Sequence, residues 1–186
     1  MKKEGSFKDF LIRYTILIAC GFFAIPFFYE IFRPLTIYPS YFLLNLFFEA
    51  SLLENLIVIK TSLGLSVIEI INACIAGSAY YLFLILNLGT PNIKLKKRIN
   101  MLIFSFLVFL IINILRIFLF SILFVFDFAF INFTHELFWY ILSIAFVVGI
   151  WFYQVRIFNI KDVPLYSDLK NLYKKSIFNF AQAWSK

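Results

Sequence analysis

The chain has 186 residues, of which 63% are hydrophobic and 27 are phenylalanine. Soluble domains rarely exceed about half apolar residues, and several apolar runs here approach the ~20 residues that cross a bilayer as a helix. The net charge of +7 comes from basic residues set beside apolar segments, as membrane orientation requires, and not from the basic face that nucleic acid needs. These features exclude an ordinary soluble domain and predict an all-α integral membrane bundle of about four transmembrane helices, with an outer-face re-entrant or interfacial segment and a short β-hairpin. No nucleotide-binding glycine motif, zinc-type Cys/His cluster, internal repeat or low-complexity segment occurs, so neither a cofactor nor a metal is expected.

In chain order, the first predicted span covers about Asp9 to Phe32. Lys2, Lys3, Lys8 and Arg13 flank it, which predicts a cytoplasmic N-terminus. The run from Tyr14 to Phe32 lacks a small-residue cleavage site and reads as a retained signal anchor. Residues 33–71 carry Glu49, Glu54, Lys60 and Glu69, which argue against a clean span. Tyr41 to Leu53 reads as an interfacial or re-entrant helix. Leu56 to Lys60 and Leu65 to Glu69 flank the turn signal Ser62-Leu63-Gly64 and predict an outer-face β-hairpin. The alternative, a true span over Tyr41 to Ile59, would place the basic N-terminus outside.

A second span is predicted from Cys74 to Leu88. It ends at Gly89-Thr90-Pro91 and is followed by Lys94, Lys96, Lys97 and Arg98, the strongest positive-inside signal in the chain. A third span runs from about Ile99 to Val125 and a fourth from about Thr134 to Phe158. The tail from residue 159 is basic, and from Pro164 onward it is amphipathic, reading as a cytoplasmic interfacial helix. The domain division is therefore 1–158 membrane and 159–186 tail. Of 17 Lys and Arg residues, 14 fall on predicted cytoplasmic segments; Arg33, Lys60 and Arg116 are the exceptions. The expected location is the cell membrane, with both termini cytoplasmic.

Three polar residues fall at one predicted depth. Cys74 lies 20 residues before Lys94, Arg116 lies 18 after Arg98, and His135, the only histidine, lies 21 before Arg156. At 1.5 Å per helical residue these are about 27–31 Å from the cytoplasmic face, close to the thickness of the hydrocarbon core. Asn72 is a candidate N-cap that would put Cys74 in a first helical turn, where the helix dipole favours a thiolate. Asn132 or Thr134 would cap the fourth span and put His135 in a first turn, favouring neutral imidazole. Asp127 and Glu136 are near enough in sequence to orient the ring. A thiol, a base and a cation at one boundary suggest cysteine-nucleophile chemistry. Each residue also has a plainer reading: Cys74 as a small filler, His135 as a surface or capping residue, Arg116 as a snorkelling cation.

The same residues resemble the motifs of the exosortase/archaeosortase family of membrane cysteine transpeptidases. Ala73-Cys74 matches an Ala-Cys-x-Gly motif at a helix start, although the glycine is Gly77, one position late, and Ile75 stands where Ser or Thr is common. Asn113-Ile114-Leu115-Arg116 matches Asn-x-x-Arg, and His135 matches the third member. The resemblance covers about Leu56 to Phe152, and the short chain is most like the small archaeal members. It implies a membrane bundle that cleaves exported proteins bearing a C-terminal sorting signal: a short motif, a hydrophobic helix and a basic cluster. Cys74 would be the nucleophile, Arg116 the oxyanion or thiolate stabiliser and His135 the acid/base, with Asn113, Asn72 and Glu136 orienting or binding substrate. A lipid is among the implied acceptors.

Two other classes remain open on sequence. In a small transporter subunit or scaffold, Arg116 would be a binding or pairing residue and Cys74 dispensable. A thiol oxidoreductase would need Cys20 near Cys74. Cys20 lies seven residues after Arg13, about 10 Å into the bilayer, which predicts that the two stand too far apart in depth for a bond between Cα atoms within ~7 Å.

Overall fold

A computed structural model describes residues 7–61, 64–90, 93–126 and 143–160. The chain order is α1 (Phe7–Asn45), β1 (Glu49–Leu53), β2 (Leu56–Thr61), β3 (Gly64–Glu69), α2 (Asn72–Ile75), α3 (Gly77–Gly89), α4 (Leu95–Val125) and α5 (Ser143–Ile157). Most of the described chain is helical. Three helical stretches are long and apolar enough to cross a membrane: Ala19–Asn45, Asn72–Gly89 and Leu95–Val125. The fourth predicted span is described only as α5, and Thr134, His135 and Glu136 lie outside the described residues, as does the chain beyond Ile160.

The first helix departs most from expectation. It does not end at Phe32 but runs for 39 residues to Asn45, through Pro26, Pro34 and Pro39. Each proline lacks the N–H that would bond the carbonyl four residues earlier, and helices in apolar surroundings accommodate such breaks when neighbouring groups compensate. No re-entrant helix covers Tyr41 to Leu53: Tyr41–Asn45 is the end of α1, and Glu49–Leu53 is a strand. The same strand rules out a helical span over Tyr41 to Ile59.

The expected hairpin forms as β2 and β3, and β1 adds a third antiparallel strand in the order β1-β2-β3. The registers Glu49↔Lys60 and Leu56↔Glu69 set the alternation. Ile57 and Ile59 of the central strand are fully buried and belong to the main core, while Leu65 and Val67 of β3 face outward. The alternation of Leu56-Ile57-Val58-Ile59 is what a half-buried strand requires. Lys60 pairs with Glu49 across the strands at 3.3 Å. Both are largely exposed, so the pair adds little stability.

The core is built from stripes that repeat every four residues. On α4 the buried positions are Met101, Ser105, Phe109, Asn113, Ile117, Ser121 and Val125. On α1 they include Phe28, Phe32, Thr36, Ser40 and Leu44. Such rows are the ridges through which helices interlock. Their centre is aromatic. Tyr80 of α3 stacks on Phe32 with ring centroids 3.5 Å apart, and Phe106 and Phe109 meet Tyr80 edge-on. Gly21 and Gly77 admit close approach: a Cβ at Gly21 would lie 2.8 Å from the Tyr81 ring, and one at Gly77 would lie 2.8 Å from the Tyr29 ring.

Candidate functional site

The strand β3 feeds into α2 through Ile70 and Ile71, so Cys74 stands where sheet meets helix bundle. The helix there is only one turn, Asn72–Ile75, and it ends at Ala76 in the left-handed conformation (φ 56°, ψ 42°) before α3 begins. This corrects two expectations. Asn72 is the first helical residue and not the cap, which is Ile71 and lends no side-chain bond. A single turn also carries little macrodipole, so the expected helix-dipole activation of Cys74 has no long helix behind it. The Asn72 side chain turns instead to α1, where its Oδ1 accepts from Arg33 Nη2 at 3.1 Å.

The break at Ala76 also accounts for the position of Gly77. The chain re-enters helix against the face of Tyr29, and only a residue without Cβ fits there.

Arg116 and Asn113 do meet Cys74, but at its backbone. Asn113 Nδ2 donates to the Cys74 carbonyl at 2.7 Å, and Arg116 Nη2 donates to the same oxygen at 3.4 Å. The two donors are three residues apart on α4 and therefore share a face. Arg116 Nη1 donates to Ser143 Oγ at the start of α5 at 3.0 Å. One guanidinium thus ties α4 to the Cys74 turn and to α5. It also lies within electrostatic reach of the Cys74 thiol and the Tyr80 hydroxyl. The Cys74 side chain is partly exposed and its thiol is free.

Ser143 has no sequence signal that would have singled it out, since its partner is 27 residues away. His135, Glu136 and Asp127 lie outside the described residues. Among the described residues no three His, Cys, Asp or Glu side chains come together as metal ligands.

Cys20 is exposed and free on α1. It neighbours Gly21, against which Tyr81 packs, whereas Cys74 lies near Arg33, thirteen residues further along α1. That separates the two cysteines by about 20 Å along the helix, too far for a disulfide.

A second polar cluster occupies the other end of the bundle. Gln154 of α5 is fully buried; its Nε2 donates to Asn87 Oδ1 at 2.8 Å, and its Oε1 accepts from Ser105 Oγ. Asn87 Nδ2 donates to the Phe83 carbonyl at 2.9 Å. Arg98 donates to the Asn87 carbonyl and, at 3.0 Å, to the Thr90 carbonyl, capping the end of α3. The cluster contains no thiol, carboxylate or imidazole, and its internal pairing gives it the character of a lock between α3, α4 and α5.

Comparison of the chain with family models, with curated proteins and with solved structures returns no match. The class defined by fold and site is a helical bundle with membrane-length helices, capped by a three-stranded sheet, with a free cysteine at their junction.

Proposed function

We propose that the protein is a membrane-embedded cysteine peptidase or transpeptidase that cleaves C-terminal sorting signals of exported proteins, similar to the exosortase/archaeosortase family. The observation that carries this reading is the convergence of Asn113 and Arg116 on Cys74. In a bundle with few polar side chains, the one Asn-x-x-Arg turn of α4 immobilises the one cysteine at the sheet junction, and positioning of this kind is what a nucleophile needs.

In this reading the sheet end faces outward and the basic loop at Lys94 to Arg98 faces the cytoplasm. The Cys74 thiolate attacks the scissile carbonyl, forming a C–S bond. Arg116 keeps N–H groups beyond the two that bind Ser143 and Cys74, and these face the developing oxyanion. The C–N bond breaks as the amine leaves with a proton from His135. An amine, a lipid hydroxyl or water then attacks the thioester, its proton passing to His135, and the C–S bond breaks to restore the Cys74 thiolate. Asn72 and Glu136 are assigned to substrate binding or orientation.

The second reading is a transporter subunit or scaffold. It is favoured by the fact that both α4 donors bind the Cys74 backbone and not its sulfur.

One experiment separates the two. An exported reporter carrying a motif, a hydrophobic helix and a basic cluster is co-expressed with the protein, and its processing is followed by gel shift. The expected result is complete loss of processing in Cys74→Ala, normal processing in Cys20→Ser, and a fall of 10²-fold or more in Arg116→Ala, on the order of the loss of one oxyanion donor. Normal processing in Cys74→Ala, at wild-type protein level, removes the enzyme reading.

A further inference from the structure

Among the described residues, buried serine and threonine hydroxyls on or next to the helices fall into two groups. Ser121 and Thr90 each donate to the carbonyl four residues earlier, at 2.8 and 2.6 Å, and Ser105, paired with Gln154 Oε1, also lies 3.1 Å from the Met101 carbonyl. Thr36 and Ser40, fully buried on α1, do not; neither oxygen has a hydrogen-bond partner. Among the described residues four further buried polar atoms share that condition: the Tyr80 hydroxyl, Asn113 Oδ1, Arg33 Nε and Trp151 Nε1, and the first two belong with Thr36 and Ser40. An unmet buried polar group costs about 1–3 kcal/mol, so four such groups together call for a shared polar partner.

Their positions along the helices bring them to one level of the bundle. Phe32 meets Phe106 at 5.7 Å, and Phe47, just beyond α1, meets Phe118 at 5.5 Å. Thr36 and Ser40 lie between these marks on α1, and Asn113 lies between them on α4. The Cys74 turn is held at the same level from both sides, by Arg33 on Asn72 and by Asn113 on Cys74.

Tyr80 joins from below. The contacts Gly21–Tyr81, Tyr29–Gly77 and Arg33–Asn72 run α3 antiparallel to α1. A helical side chain leans toward its own N-terminus, so Tyr80 leans toward Cys74, while Thr36 and Ser40 lean the opposite way to meet it. The Tyr80 ring stacks on Phe32, one turn before Thr36.

We propose that Thr36, Ser40, Tyr80 and Asn113 form an internal water site beside the Cys74 turn. The chemistry of the set selects the occupant. None of the four side chains carries a formal charge, and Arg116 nearby disfavours a cation. Three are hydroxyls that both donate and accept, and Asn113 Oδ1 accepts. A buried water typically makes about three hydrogen bonds, so four such groups suit one or two waters. The site adjoins the Cys74 turn through Asn113, and it stands whether or not Cys74 is a nucleophile.

The test is hydroxyl-radical footprinting by X-ray pulses on the full chain in lipid nanodiscs, where radicals arise from bound water. Tyr80 and Phe83 are both fully buried, one helical turn apart. The expected result is several-fold faster modification of Tyr80 than of Phe83, after normalisation to their intrinsic reactivities, falling to the Phe83 level in Thr36→Val/Ser40→Ala. Equal protection of the two rings in the wild type overturns the site. Thermal unfolding of the single variants gives an independent answer. A lower Tm in Thr36→Val and in Ser40→Ala is expected where the hydroxyls hold water. An unchanged or raised Tm in both overturns the site, because deleting a hydroxyl that has no partner relieves its burial.

Discussion

The carbonyl of Cys74 takes two donors from a single turn of α4. In Asn113→Ala the nearer one is lost and the oxygen keeps only the longer Arg116 contact, so unfolding should become easier by about 1–3 kcal/mol, read as a lower Tm in detergent. Asn113→Asp should lose at least as much. It keeps the size but sets an acceptor against an acceptor. Equal Tm values for wild type and Asn113→Asp would mean that the Cys74 turn does not depend on Asn113. Counting helical residues from the basic anchors was enough to bring Cys74 and Arg116 to one depth, because helical rise is nearly constant. It did not reveal that they meet through the backbone, nor that Asn72 serves α1, because those depend on which way a one-turn helix faces. Ser143 and Arg33 were equally hidden, since their partners are 27 and 39 residues away.

At the level of elements, α4 and the hairpin were legible and α1 was not. The long apolar run from Met101 onward, the bulk of the 31-residue α4, favours a helix, and alternating apolar residues on either side of Gly64 favour a strand pair. For α1, Arg33 and Pro34 carried the usual signs of an exit from the membrane. They were overridden because Thr36, Ile37, Ser40 and Leu44 are all buried, so packing of the second half of the helix outweighed the prolines. The strand β1 was missed for a related reason: Glu-Ala-Ser-Leu-Leu alternates only once paired with β2. The join between α2 and α3 has its own test. Gly77→Ala sets a methyl 2.8 Å from Tyr29 and should cost about 1–3 kcal/mol as an overpacked contact, with partial recovery in Gly77→Ala/Tyr29→Leu. Ala76→Gly, at a φ of 56°, should be neutral or should stabilise by up to about 1 kcal/mol.

Among the described residues the two ends differ in sign, with Glu49, Glu54 and Glu69 against Lys60 around the sheet and Lys96, Lys97 and Arg98 around the start of α4. In intact cells an impermeant maleimide should label Lys60→Cys and leave Lys97→Cys unlabelled until the membrane is opened, both made in a Cys20→Ser/Cys74→Ser background. Labelling of both, or the reverse, would invert or break the topology proposed above. The polar lock between Gln154, Asn87 and Ser105 belongs to this scale too, since it joins residues 49 and 67 positions apart. Gln154→Leu should strand Asn87 Oδ1 and lower Tm by the equivalent of about 1–3 kcal/mol, with little effect on reporter processing.

Ser105 and Asn113, both on the buried row of α4, belong one to each polar cluster. They are eight residues apart, about 12 Å of helix. Because each is hydrogen-bonded to a different neighbour, sliding α4 along the bundle would break both sets at once. If the helices span a bilayer as proposed above, adjustment to mismatch would fall to tilt of the whole bundle and to the surrounding lipid.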